Sequence, residues 1–171
     1  MYAHWEGFVK DASIYYLRYL SDGPLDVGKL KSCFAAVALN SDIRTSGQAR
    51  RVSLHAKLVD LFRSLDGPPP KMRRLPVKRV ISTRSNLKGV VLREIAATLG
   101  INYSRFELKE KSVIDRLVQF RNLIAHGDGL PVSQADYVDL HTEIIALMDI
   151  YKDLIQDATS NDRHLRLRRG D

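Results

Sequence analysis

The sequence predicts an all-α helical bundle with a basic, partly extended segment between helices. Three observations predict it. Apolar residues recur at three- and four-residue spacings along most of the chain, the period of one helix face. Glycine and proline punctuate those stretches at Asp22-Gly23-Pro24, at Asp66-Gly67-Pro68-Pro69-Pro70 and at Gly127-Asp128-Gly129 with Pro131. Residues 43–93 hold 13 of the 27 Lys and Arg but only two acids, Asp60 and Asp66, and too few apolar residues for a core of their own.

Taken in order, Trp5, Phe8, Val9, Ala12, Tyr15, Tyr16 and Leu20 predict a first helix over about residues 3–20. Val27, Leu30, Phe34, Val37 and Ala38 mark a second, and Val52, Leu54, Leu58, Val59, Leu61, Phe62 and Leu65 a third. Three successive prolines then forbid helix, because they lack donors and clash with a preceding turn. Residues 71–81 read as an extended surface segment with a short strand at Val77 to Ile81. Ser85 is placed to cap a fourth helix running to Leu99, with Gly100 just past its end. Ile101 to Lys111 reads as a loop. Ser112 with Asp115 resembles a capping pair for a fifth helix over about 113–125, with Val113, Ile114, Leu117, Phe120, Leu123 and Ile124 as its inner stripe. Ser133 with Asp136 opens a sixth to about Asp157, turning Tyr137, Leu140, Ile144, Leu147, Met148, Tyr151 and Leu154 inward. Helices five and six form a hairpin.

The chain has 171 residues, enough for one domain, taken as residues 1–157, followed by a basic C-terminal tail at 158–171 that includes Arg163-His164-Leu165-Arg166-Leu167-Arg168-Arg169. No apolar run approaches the ~20 residues of a membrane span, and Met1 to Lys10 shows no signal-peptide pattern. Cys33 is the sole cysteine, so an internal disulfide is excluded; a reducing, cytoplasmic setting is expected. His4, His55, His126, His141 and His164 lie far apart and match no zinc spacing, so neither a metal nor another cofactor is expected.

Net charge is +7, yet residues 43–93 carry +11 and the rest −4. Lys71 to Arg93 holds eight basic residues and no acid. Such a field favours a polyanion, against the plainer reading of a solvated basic face. Arg73, Arg74, Lys78, Arg79 and Arg84 are the candidates for guiding a nucleic-acid backbone, without sequence specificity.

The candidate chemistry lies in Phe120-Arg121-Asn122-Leu123-Ile124-Ala125-His126-Gly127. Histidine moves a proton near neutral pH, and arginine presents a charged planar fork to phosphate. Asn122 and His126 are four apart and share a helix face. Arg121 and His126 are five apart, about 140° around a helix, so they converge only if the helix unwinds near Ala125 or if two copies pack across a two-fold axis. The chemistry expected is attack of a ribose 2′-hydroxyl on the adjacent phosphate, with histidine moving the proton and arginine meeting the charge. The rival reading is structural: Arg and His near a helix end commonly bond the last carbonyls.

Arg121-Asn-Leu-Ile-Ala-His126 resembles the Arg-x4–6-His motif of the HEPN superfamily. His4-Trp5-Glu6-Gly7-Phe8-Val9-Lys10, Ser85-Asn86-Leu87, Leu117-Val118-Gln119-Phe120 and Ala125-His126-Gly127 resemble its MAE-type branch, similar to the RiboL-PSP-associated HEPN proteins, over residues 1–157. The resemblance implies a HEPN-like bundle, a homodimer formed through the motif-bearing helices, and metal-independent endoribonuclease activity. It also implies a bacterial toxin–antitoxin or phage-defence setting, with an antitoxin or neighbouring defence protein as partner. By position, Arg121 and His126 become the catalytic pair and Asn122 the polar helper. Members of that branch carry a further helix before the His-Trp-Glu-Gly stretch, so an upstream helix is expected to be absent here. Trp5 is expected in the core, and Glu6 is a candidate to orient Arg121 or an arginine of a partner copy, against the plainer reading of a surface acid. The alternative is a non-catalytic HEPN module that binds RNA or a partner protein.

Overall fold

The first amphipathic stretch builds α1 (Tyr2–Asp22), which buries Trp5, Val9, Tyr16, Leu17 and Leu20 along one face. The structure, a computed structural model, describes residues 1–23, 25–47, 56, 59–60, 74–77, 80–127 and 132–166. Tyr15 and Tyr19 point to solvent while Tyr16 is buried.

The second helix is shorter at its start than its spacing predicts. A 3₁₀ turn (Val27–Lys29) precedes α2 (Ser32–Gly47), and the Asp26 carboxylate accepts the Gly28 N–H to open that turn. Of the expected third helix only Ala56, Val59 and Asp60 are described, each helical. No strand forms among the described residues between Val77 and Ile81; Leu75 and Ile81 instead bury against the bundle from irregular backbone.

The fourth helix, α3 (Gly89–Leu99), begins later than expected. Ser85 cannot cap it, because Arg84 and Ser85 sit in the left-handed region at φ 53° and 60° and form a turn ahead of the helix. Asp115 supplies the cap from elsewhere: its carboxylate accepts the Gly89 N–H at 2.8 Å. Gly100 ends the helix at φ 61°, as its position predicts. The expected loop after it contains α4 (Ser104–Glu107) and a π-helical turn (Glu110–Asp115). Ser112 lies inside that turn, its hydroxyl facing the Leu108 carbonyl, so the expected Ser112–Asp115 cap does not exist.

The π turn runs directly into α5 (Arg116–His126). Val113, Ile114, Leu117 and Val118 are buried, Phe120 is half-buried, and Ile124 is 65% exposed. The expected inner stripe therefore leaves the core over its last turn. Ser133 then caps α6 (Gln134–Ser160): its hydroxyl accepts the Asp136 N–H and donates to the Asp136 carboxylate. Leu140, Ile144, Leu147 and Tyr151 face inward as expected, Met148 and Leu154 lie partly buried against the core, and Tyr137 is exposed.

α1 packs along α6, and Tyr151 is the seam between them. The Ser13 hydroxyl donates to the Val9 carbonyl, so its single proton is used. Tyr151 must then donate to Ser13, at 2.6 Å, which satisfies both buried hydroxyls. The start of the expected C-terminal tail is tied back to the bundle. Leu165 pairs with Leu30 in an antiparallel bridge, and Lys31 N–H donates to the His164 carbonyl at 2.8 Å. No helix among the described residues is long and apolar enough to cross a membrane.

Candidate active site

α5 stays helical to its last residue, His126, and stops at Gly127. Gly127 adopts φ 76°, which glycine enters without a Cβ penalty, and its N–H bonds the Ile124 and Leu123 carbonyls. The helix end is therefore closed by backbone, and neither Arg121 nor His126 bonds these carbonyls among the described residues. The helix does not unwind near Ala125. Within one chain Arg121 and His126 thus remain about 140° apart around the axis.

Arg121 is held at three points. Its Nη1 donates to the neighbouring Asn122 Oδ1 at 2.8 Å and to Asn86 Oδ1 at 3.5 Å. Its guanidinium lies over the Tyr2 ring, 5.5 Å from the centroid. Tyr2 in turn accepts the Leu87 N–H at 2.8 Å, so the start of α1, the turn before α3 and the middle of α5 meet here. Burial raises the Tyr2 phenol above its ordinary value; the Leu87 N–H opposes the rise, and the Glu6 carboxylate adds to it by charge and as an acceptor. Glu6, expected to orient Arg121, makes no ion pair with it among the described residues; it acts on the tyrosine beneath. His126 is exposed and makes no side-chain hydrogen bond or ion pair among the described residues.

Beside Arg121 lies an open cavity of about 610 Å³ between α1, α5 and the start of α6. Tyr2, Leu117, Phe120, Ile124 and Tyr137 form much of its wall, and Glu6 and Arg121 are the charged side chains among the described lining residues. Ile124 and Tyr137 are both more than half exposed. Among the described residues nothing covers this apolar face on the helix that carries the motif.

Of the expected backbone-guiding residues, Arg74 and Arg84 are described and exposed; Arg73, Lys78 and Arg79 lie outside the described residues. Arg84 pairs with Glu94 at 2.8 Å on the surface, a contact that weakly competes with an anion. Among the described residues no three of His, Cys, Asp and Glu gather closely enough to hold a metal ion together.

Tyr2 and Asn86 were not singled out by the sequence as partners of Arg121. Asn86 lies within a stretch that carries the family resemblance, but nothing local gave it a role. A family model described as RiboL-PSP-HEPN matches residues 1–157. No curated protein and no solved structure matches the chain.

Proposed function

The chain belongs to the RiboL-PSP-HEPN family, and from that premise we propose that it is a metal-independent endoribonuclease working as a homodimer. One observation carries the reading. α5 is intact through His126 and divides Arg121 from His126 within a chain. A two-fold contact along the exposed end of α5 brings the Arg121 of one copy toward the His126 of another, because such a contact is self-complementary. The open apolar face at Phe120, Ile124 and Tyr137 supports a contact there.

In that site His126 takes the 2′-hydroxyl proton as the oxygen attacks the adjacent phosphorus. Arg121 meets the charge that builds on the non-bridging oxygens, and Asn122 keeps its guanidinium aligned. The same histidine returns that proton to the departing ester oxygen, and the product carries a 2′,3′-cyclic phosphate. The basic residues between α2 and α3, including Arg73, Arg74, Lys78, Arg79 and Arg84, draw the RNA backbone in through charge alone. A toxin or defence effector held in check by an antitoxin or a neighbouring protein is the biological setting this chemistry fits.

The test is cleavage of mixed cellular RNA in excess chelator by the wild type, Arg121→Ala and His126→Ala. Cutting by the wild type alone, with cyclic-phosphate ends, is expected. Equal cutting by all three, or binding without cutting by any, would make the motif a helix end in an RNA-binding module.

A further inference from the structure

We infer that Tyr2 and Asn86 are positioning residues that hold the Arg121 guanidinium with one edge free for phosphate. This inference rests on reading Arg121 as the phosphate-binding residue of the proposed site.

Three features lead to it. First, both named acceptors, Asn122 Oδ1 and Asn86 Oδ1, take their hydrogen bonds from the same nitrogen, Nη1. Among the described residues, Nη2 and Nε have no acceptor, and these two nitrogens form the edge that meets two phosphate oxygens side by side. Second, the hold contains no carboxylate. A ring face and two neutral amide oxygens align the guanidinium without neutralising it, so an arriving phosphate displaces no anion. An arginine free in solution would lose rotamer freedom on binding; this one has part of that ordering done beforehand.

Third, the turn that presents Asn86 is built at a conformational cost. Arg84 and Ser85 are consecutive non-glycine residues in the left-handed region. The turn persists because it is tied on both sides. Asn86 N–H donates to the Thr83 carbonyl at 3.1 Å, Leu87 is fully buried, and Leu87 N–H donates to the Tyr2 hydroxyl. Tyr2 therefore acts twice. Its hydroxyl fixes the turn that carries Asn86, and its ring lies against the guanidinium that Asn86 bonds.

The experiment has two arms. In the first, kcat and KM are measured on a short RNA oligonucleotide for wild type, Tyr2→Phe, Tyr2→Leu and Asn86→Ala, each also in an Arg121→Lys background, with Tm recorded for each. Tyr2→Leu and Asn86→Ala are expected to lower kcat about tenfold or more with KM little changed. Tyr2→Phe, which keeps the ring, should fall in between. These losses should largely vanish in the Arg121→Lys background, since a residue acting through the guanidinium fork has nothing left to align. Equal losses in both backgrounds, or wild-type kcat in both Tyr2→Leu and Asn86→Ala, overturn the inference.

In the second arm, the Arg121 Nε–H signal of arginine-labelled protein is followed as inorganic phosphate is added. A ring-shifted signal that responds to phosphate in the wild type and loses both properties in Tyr2→Leu is expected. A signal at the free-arginine position, or one unchanged by Tyr2→Leu, overturns the hold. If the wild type cuts no RNA, the nuclease reading fails, and this second arm still decides the hold by itself.

Discussion

Two inactive variants should restore each other when mixed. α5 is helical from Arg116 to His126, so Arg121 and His126 are separated by about 7.5 Å along the axis and about 140° around it. Arg121 is turned to Tyr2 and Asn86 on its own chain, which His126 does not reach. A productive pair then takes arginine from one copy and histidine from the other. Arg121→Ala and His126→Ala homodimers contain no such pair. A mixed dimer keeps one of the two symmetry-related pairs, since the first chain supplies histidine and the second arginine. Random reassociation at equal amounts makes about half the dimers mixed, so about one quarter of wild-type activity should return. The assay is a fluorogenic RNA in excess chelator after co-refolding the two proteins. The reciprocal mixture sharpens it. An equal mixture of wild type co-refolded with the Arg121→Ala/His126→Ala double variant should show, against the same total amount of wild type alone, about one quarter of the activity for a shared site and about one half for a site inside each chain. No recovery in the first mixture together with one half in the second would refute the shared site.

Three further outcomes follow from the packing and the cap. Ser13→Ala strands the buried Tyr151 hydroxyl and should cost about 1–3 kcal/mol, Tyr151→Phe about 1 kcal/mol, and the double variant clearly less than their sum; urea unfolding measures the cycle. Gly89→Ala places a Cβ 1.9 Å from Glu110 Cγ, displacing a carboxylate bonded to Arg93 and Tyr103, and should cost about 1–3 kcal/mol and lower Tm. Burial lowers His164 below its ordinary value, with Lys31 adding to the fall and Asp162 opposing it. The unfolded chain therefore binds this proton more readily, so stability should drop as pH falls through the ordinary histidine value of 6.5 and below. Urea midpoints at pH 7.5 and 5.5 should differ more for the wild type than for His164→Asn.

Much of the fold could be read locally. The apolar spacing of α1 and α6, the Ser133 cap with Asp136, and the glycines that end α3 and α5 each depend on residues within one or two helical turns. The misreadings share a cause. Ser85 and Ser112 have the composition of caps, but α3 is capped by Asp115, far along the chain and delivered by a π turn. Tyr137 and Ile124 obey the helical period and still face solvent, because the period marks an apolar face without saying what covers it.

The sequence by itself determined an all-helical chain of the RiboL-PSP-HEPN family and an Arg121-Asn122-His126 motif at the end of one helix. Those properties are carried by short-range periodicity and by the order of side chains along the chain. Only the tertiary structure decided that Arg121 rests between Tyr2 and Asn86, that its helix keeps His126 turned away, and that an apolar cavity opens beside it. The reason is physical: helix periods and caps are written within a few residues, whereas a contact between α1, a strained turn and α5 exists only once the bundle has packed.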